Sequence, residues 1–258
     1  MPVALFLPLF DELSDPRVAV ELAVEAEAHG WDGVFVWDHL RYAEPVRDVA
    51  DAWVVMAAIA AATERVRIGP MVTPVPRRRP QILLRETVTL DQLSRGRLVF
   101  GVGIGGNLGG ELSLFGEERD LRARAALLDD ALDRINRWWQ GEDVDGATML
   151  PRPVQRPRIP VWVASRYPNR APVRRAARWD GWFPIALPAP EALRIELDYA
   201  LGHRSCDDPF AVAVQGLPDA DPRPWFDAGA TWWLVRFEPL TVKVADVRAT
   251  IKNGPPAP

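Results

Sequence analysis

One of the chain's three histidines follows an aspartate at a point where an apolar stretch meets polar sequence. The stretch is "GWDGVFVWDHL" (30–40), and the pair is Asp38 and His39. Because imidazole titrates near neutral pH, His39 could act as a general acid or base. The alternative is a loop histidine whose ring binds a backbone carbonyl. His29 and His203 lie too far away in sequence to give metal-ligand spacing, so we predict no metal site.

A glycine-rich segment, "GVGIGG" (101–106), contains the spacing G-x-G-x-x-G. A dinucleotide-binding fingerprint needs a helix that begins inside the motif. Here more loop sequence follows, and the next clear helical pattern begins near residue 120, so we reject that interpretation. The glycines instead predict a backbone that passes close to a flat ligand.

Two basic segments are candidates for binding anions. In "ASRYPNRAPVRRAAR" (164–178), Ser165 and the backbone N–H groups beside it could hold a phosphate, with charge from Arg166 and Arg170. A solvated basic helix is an equal alternative. The second segment, "PVPRRRP" (74–80), favours a solvated surface loop over an attraction for an anionic ligand.

These candidates follow predicted strands in a chain that alternates strand and helix patterns throughout. Eight short, mostly apolar strands are predicted at 3–10, 33–40, 65–74, 97–106, 159–165, 181–186, 210–216 and 231–237. This alternation predicts one α/β domain over residues 1–258, a (β/α)₈ TIM barrel, with a doubly wound sheet as the alternative. Chemistry in such barrels lies at the carboxyl ends of the strands, so we expect Asp38 and His39 at the mouth.

Two helices are predicted in detail. Asp15, Pro16 and Gly30 suit the N-cap, first and C′ positions of a helix between them. The clearest helix is predicted at 120–141, where one apolar face is formed by Leu121, Ala125, Leu128, Leu132, Ile135 and Trp139.

Composition excludes several classes of function. The formal net charge is −4, which gives no reason to expect a nucleic-acid or membrane partner. Cys206 is the only cysteine, so neither an intrachain disulfide nor a cysteine-based zinc cluster is expected. The first residues lack the pattern of a signal peptide, and no apolar run approaches the ~18 residues of a membrane span. We therefore expect a cytoplasmic protein.

Taken together, the segments resemble the bacterial luciferase-like monooxygenase superfamily of flavin- and deazaflavin-dependent barrels. The matching pieces occur in the family's order and cover nearly the whole chain; they are "AEAHGWDGVFVWDHL", "RVRIGPMVTP", "ETVTLDQLSRGRLVFGVGIGG", "IPVWVAS", "RRAARWDGWFP" and "DAGATWWLVR". Some members use FMN, often with a reductase that supplies reduced flavin. Others use coenzyme F420, which carries hydride only, and the Asp-His pair resembles this deazaflavin branch.

The resemblance implies a role for individual residues. His39 would assist proton or hydride transfer near the reactive carbon of the deazaflavin, and Asp38 would lie beside the deazaflavin ring. A backbone bulge, often with a non-proline cis peptide, would lie behind the ring at Pro70–Met71, before Thr73. The remaining cofactor contacts would come from Gly103, Ile104, Gly105 and Gly106 at the floor, from the phosphate loop at Ala164, Ser165 and Arg166, and from Gly181 and Trp182.

The chain also departs from the family. Sugar-phosphate dehydrogenases of the deazaflavin branch place a catalytic acid where this chain has Gly106, and the nearest acid is Glu111, which disfavours sugar-phosphate oxidation. The chain is short, so the insertions that cover the substrate are expected to be trimmed, and the pocket to be open or closed by a partner in a homodimer. Members commonly dimerise through the second and third helices.

The leading hypothesis is F420-dependent hydride transfer to or from a small organic substrate. The alternatives are an FMN monooxygenase served by a partner reductase, and a flavin-binding protein without turnover. Apolar side chains expected at the mouth suggest a hydrophobic or aromatic substrate, although buried core would give the same pattern; they are Leu7, Trp37, Tyr42, Trp182 and Trp232.

Overall fold

A ring of parallel strands forms the centre of the molecule, and helices surround it. The computed structural model describes residues 1–257. The strands are β1 (Val3–Leu7), β2 (Gly33–Val36), β3 (Arg67–Pro70), β4 (Thr73–Pro74), β5 (Phe100–Gly103), β6 (Asp143–Val144), β7 (Ala147–Thr148), β8 (Val161–Arg166), β9 (Gly181–Ile185), β10 (Ala211–Gly216) and β11 (Trp232–Arg236). The α-helices are α1 (Pro16–Ala28), α2 (Ala52–Ala62), α3 (Pro80–Leu93), α4 (Leu121–Trp139), α5 (Arg170–Ala176), α6 (Pro190–Leu201), α7 (Arg223–Asp227) and α8 (Val244–Lys252).

The strand order confirms the predicted barrel. Nine strands pair in the order β3-β2-β1-β11-β10-β9-β8-β5-β4, all in parallel. Strands β3 and β4 are two parts of one barrel position, and a parallel bridge between Ile68 and Leu98 brings the two edges of the sheet together. The result is a nearly closed eight-membered (β/α) barrel, with β6 and β7 as a separate antiparallel hairpin.

The chain bends between β3 and β4 at a non-proline cis peptide bond that joins Met71 and Val72. The predicted position, Pro70–Met71, was wrong by one residue. The physical reason is that the N–H of Met71 still donates to the carbonyl of Val36 at 2.8 Å, so the ladder with β2 continues through Met71. The backbone leaves the sheet only after that bond.

Strand side chains alternate between two apolar layers. Inside the barrel lies a cluster that includes Phe35, Trp162 and Phe183. Between the strands and the helices lies the larger cluster, which includes Trp182 and Trp233. Neighbouring residues such as Trp182 and Phe183 therefore face opposite layers, as expected from the two-residue period of a strand.

The helix ends follow local sequence signals. The side chain of Asp15 accepts a hydrogen bond from the N–H of Arg17 at 2.9 Å, and Gly30 adopts a positive φ of 82° beyond the end of α1, as predicted. The stripe of α4 is buried at Leu128, but Leu121 at the start of the helix is 63% exposed, contrary to the predicted apolar face. Among the described residues, no helix is both long and apolar enough to cross a bilayer.

The buried Arg97 links the C-terminal ends of α2 and α3 at the place where the two edges of the sheet meet. The Arg97 guanidinium donates to the carbonyls of Ala60, Thr63 and Val66 and to the hydroxyl of Thr63, and its Nε donates to the carbonyl of Ser94. These carbonyls include unpaired ends of α2 and α3, which need partners when buried. Burial lowers the pKa of Arg97 from its usual value.

We expect Arg97→Met to reduce the free energy of unfolding by about 3 kcal/mol, because several buried acceptors lose their donor. The matched control is Arg95→Met, whose guanidinium forms an exposed pair with Glu64 and should contribute about 0–1 kcal/mol. Urea denaturation followed by tryptophan fluorescence measures both. Equal effects of the two substitutions would show that Arg97 does not stabilise the junction between the two sheet edges.

Candidate active site

A cavity of about 760 Å³ opens at the carboxyl ends of the barrel strands. Its volume lies in the range of roughly 300–1,000 Å³ that small-molecule sites occupy. The strands and the residues that follow them contribute Phe6, Trp37, Asp38, His39, Tyr42, Met71, Val72, Pro74, Gly103, Ile104, Gly105, Gly106, Ala164, Ser165, Arg166, Phe183, Ile185 and Gln215. Further loop and helix residues include Leu108, Glu111, Leu121, Arg122, Asn169 and Arg175.

His39 lies on the cavity wall with one ring nitrogen engaged. Its Nδ1 is 2.9 Å from Oε2 of Glu111. Because an ionised carboxylate only accepts hydrogen bonds, Nδ1 carries the proton, and in the neutral ring Nε2 keeps its lone pair. In residues 1–257 no side chain or backbone group hydrogen-bonds to Nε2. A proton can therefore be accepted or released at Nε2.

Aromatic rings surround this imidazole. The ring centroids of Phe10, Trp37 and Tyr42 lie 5.7, 5.9 and 5.1 Å from that of His39. The indole Nε1 of Trp37 is buried and has no hydrogen-bond partner in the described part of the chain. Burial, followed by the charges of Glu238 and Glu111, raises the pKa of Tyr42, so its phenol stays protonated.

Glu111 is the electrostatic centre of the site and is only 2% exposed. Its second oxygen, Oε1, accepts from the N–H of Leu40 at 2.6 Å and from Nη1 of Arg77 at 2.8 Å. Burial alone would raise the pKa of Glu111, but the hydrogen bonds and charges of His39 and Arg77 outweigh burial and lower it to about 2. The carboxylate is therefore ionised throughout the neutral range.

Asp38, which also lines the cavity, is held by a second hydrogen-bond network. Its Oδ2 accepts from the hydroxyl of Thr73 at 2.7 Å, and Nη2 of Arg78 lies 3.0 Å from both carboxylate oxygens. Thr73 in turn accepts from the indole of Trp53 at 3.2 Å. The network ties the end of β2 to β4 and α2, so Asp38 positions the strand end that carries His39.

The glycine run that follows β5 forms a thin part of the cavity wall. At Gly103 an added Cβ would lie 2.8 Å from Cγ2 of Val72, and Gly105 has a positive φ of 75°. The buried Arg124 fixes this wall by donating to the carbonyls of Ile104 and Gly105 at 3.1 and 2.8 Å. The backbone is thus held close to the cavity, as the sequence predicts.

Cationic side chains border the outer part of the cavity. Arg175 pairs with Asp129 at 2.7 Å. Arg122 and Arg166 have no acidic partner among residues 1–257. Ser165 is buried, and its hydroxyl accepts from the indole of Trp182 at 2.7 Å. Positive charge is therefore available at this rim.

Most of the predicted site residues line the cavity, but four do not. Pro70 ends β3, and Thr73 is buried against Asp38. Gly181 lies beneath the indole of Trp162, and Trp182 points into the outer layer. The phosphate candidate Arg170 also lies elsewhere, because its Nη2 pairs with Glu196 at 3.0 Å. Of the proposed apolar mouth residues, Leu7, Trp182 and Trp232 are not in the cavity lining, whereas Trp37 and Tyr42 are.

Three residues contribute to the site without having been predicted from the sequence. Glu111 was noted only as the nearest acid, with no partner assigned. Arg77 was expected in a solvated loop, yet its side chain is 5% exposed and holds Glu111. Phe183 lines the cavity in place of the predicted Trp182. The "PVPRRRP" segment was a possible signal, since three arginines beside a strand end are well placed to neutralise acids there.

The family model for the luciferase-like monooxygenases matches residues 3–215. With most of its length covered by that model and with the barrel and mouth described above, the chain belongs to this family.

Curated relatives carry a more specific name. A protein from Gordonia bronchialis called F420-dependent glucose-6-phosphate dehydrogenase is 36% identical over 180 residues, which are 62% of this chain and 52% of that protein. A protein of the same name from Microbacterium testaceum is 32% identical over 218 residues, 80% of this chain and 62% of that protein. The chain thus spans about half to three fifths of the length of these relatives.

Solved structures confirm the fold. An F420-dependent secondary alcohol dehydrogenase in complex with an F420–acetone adduct has a TM-score of 0.72 and 22% identity, covering 99% of this chain and 84% of that one. An F420-dependent tetrahydromethanopterin reductase from Methanopyrus kandleri has a TM-score of 0.77 and 14% identity, covering 98% and 97%.

We expect Glu111→Gln to destabilise the protein by up to about 3 kcal/mol at pH 7, with the deficit shrinking as the pH falls below 5. The sign follows from the lowered pKa. The stability that an ionised Glu111 contributes is present above pH 4.5, the pKa of Glu111 in the unfolded chain. It is lost as the pH falls towards the folded-state pKa of about 2. Urea denaturation between pH 7 and pH 3 measures the difference.

The control for this experiment is Glu117→Gln, in the same loop, whose side chain makes no hydrogen bond in the described part of the chain. A Glu111→Gln deficit that stays constant with pH would show that the charge of Glu111 contributes nothing to folding.

Proposed function

We propose that this protein is an oxidoreductase that uses coenzyme F420 to transfer a hydride to or from a small organic substrate. The observation that carries the proposal is the 2.9 Å pair between His39 and Glu111, at the mouth of a barrel of this family. The two relatives described above, both called F420-dependent glucose-6-phosphate dehydrogenase, support it.

The residues of the cavity fit a flat cofactor with an anionic tail. The buried indole N–H of Trp37 lacks a partner and is available to a ligand oxygen or nitrogen. The glycine wall at Gly103 and Gly105 brings the backbone close enough to pack on a planar ring. Arg122 and Arg166 would hold phosphate or carboxylate groups at the rim. When bound, coenzyme F420 supplies a carrier for one hydride, that is, two electrons.

The chain's own residues handle the proton. In the oxidation of an alcohol, neutral His39 accepts the hydroxyl proton at Nε2; in the reverse direction the imidazolium returns it. The ionised Glu111 stabilises the imidazolium and fixes the ring orientation through Nδ1. The rings of Phe10, Trp37 and Tyr42 pack around the imidazole and leave its side chain 24% exposed.

We expect coenzyme F420 to bind saturably and FMN to bind at least ten times more weakly, because the proposal assigns this site to the deazaflavin and not to a flavin. Titrations followed by quenching of tryptophan fluorescence measure both affinities. Binding of FMN alone would favour oxygen chemistry with a partner reductase. Binding of neither cofactor would contradict the proposal.

His39→Ala should separate binding from chemistry. We expect the affinity for coenzyme F420 to change by less than about threefold, and hydride transfer to fall by about 10²–10⁴-fold, the range for loss of a general acid or base. A panel of ketones, aldehydes and enones is first screened for a compound that oxidises reduced F420 in the presence of the wild-type protein. The rate of hydride transfer to that compound is then measured from the change in F420 absorbance.

The matched control is His29→Ala. That imidazole is exposed, and its Nδ1 lies 2.8 Å from the carbonyl of Glu25 at the end of α1. It should leave both quantities unchanged. Unaltered hydride transfer in His39→Ala would remove His39 from the mechanism.

We also infer that the protein is a cytoplasmic homodimer that associates through α2 and α3. Support comes from Val54 and Ile82, which are 65% and 54% exposed on these helices. Sedimentation velocity showing only monomer at micromolar concentration would contradict the dimer.

A further inference from the structure

We infer that the substrate of this site is an apolar ketone, or the corresponding secondary alcohol, and not a sugar phosphate. This inference rests on the proposed function, because it takes His39 as the proton carrier. The relatives are called glucose-6-phosphate dehydrogenases, so their names alone would suggest a sugar phosphate as the substrate.

The surface beside His39 is aromatic. The rings of Phe10, Trp37 and Tyr42 lie within 6 Å of the imidazole centroid, and Phe6 packs 5.4 Å from Trp37. A carbonyl or hydroxyl that reaches Nε2 therefore brings its substituents against aromatic carbon. Apolar substituents gain from that contact, whereas hydroxyl groups lose water there without replacement.

The acids of the cavity are already engaged by groups of the protein. The carboxylates in its described lining are those of Asp38 and Glu111. Asp38 accepts from Thr73 and Arg78, and Glu111 from His39, Arg77 and the N–H of Leu40. Much of their acceptor capacity is therefore used within the protein, which leaves less of it for the several hydroxyls of a sugar.

An apolar rim lies at the mouth and is formed by Leu40, Leu108, Leu114, Phe115 and Leu121. Each is between 50% and 63% exposed. The loops that carry them are joined where the N–H of Leu40 binds Glu111 and where Arg41 donates to the carbonyl of Gly109. Leu108 and Leu121 also line the cavity, so the rim continues its apolar wall outward.

The reaction balances with the reduced deazaflavin as the reductant. The carbonyl carbon gains a hydride, the C=O π electrons move to oxygen, and the oxygen takes the proton from Nε2 of His39. The ketone is reduced to a secondary alcohol and the deazaflavin is oxidised. The deazaflavin loses one proton to solvent, and His39 recovers one from solvent.

The test uses acetophenone and glucose 6-phosphate with the cofactor-free protein, followed by saturation-transfer NMR. We expect acetophenone to bind and glucose 6-phosphate not to bind. Leu121→Glu should weaken acetophenone binding at least fivefold, because it places a charge on the apolar rim. Leu201→Glu is the matched control, since Leu201 is an exposed leucine at the end of α6, on the opposite face of the barrel.

A second arm adds oxidised F420 and measures its reduction by 1-phenylethanol or by glucose 6-phosphate. Faster reduction by glucose 6-phosphate, preferred binding of the sugar phosphate, or equal effects of the two leucine substitutions would overturn the inference while leaving F420 chemistry intact. A Leu121→Glu variant that changes the sedimentation coefficient but not the acetophenone affinity would make the rim a subunit interface and would also overturn it. Failure of F420 to bind would instead overturn the proposed function, even if acetophenone binds.

Discussion

The buried carboxylate of Glu111 is the interaction on which the mouth of the barrel depends. A charge that is only 2% exposed must be compensated by partners, and its partners come from two other segments. His39 and Leu40 follow β2, while Arg77 follows β4. The three loops are therefore held together by one ion. The same contacts orient the imidazole, so the assembly of the mouth and the placement of His39 have a single physical cause.

Local patterns were enough to predict the scaffold. Each barrel strand is a short apolar run, and each long helix has an apolar stripe, so alternation alone gave the eight-membered barrel. Asp15 and Gly30 placed the ends of α1 because capping depends on neighbouring residues. His39 and the glycines reached the cavity for a related reason, since a residue at the carboxyl end of a barrel strand has few other places to go.

Features set by distant contacts or by a shift of one residue were not predictable in this way. Glu111 meets His39 across 72 positions of sequence, and no local signal marks that meeting. Trp182 was expected at the cavity, but the two-residue period of β9 places Phe183 there. Leu121 fits the stripe of α4 by spacing, yet it lies above the barrel where nothing in the described chain covers it. The arginines of "PVPRRRP" became structural only because two acids lie opposite them.

The distribution of charge divides the cavity into two chemical regions. Near the strand ends each acid is neutralised, Asp38 by Arg78 and Glu111 by Arg77, so the field around His39 comes mainly from its own partner. At the outer rim Arg122 and Arg166 remain without acidic partners in the described chain. Anionic groups are therefore attracted to the rim, and the aromatic surface beside His39 favours uncharged ones. A cofactor with a neutral ring and an anionic tail satisfies both regions at once, and what remains beside the imidazole is a space whose walls are aromatic carbon.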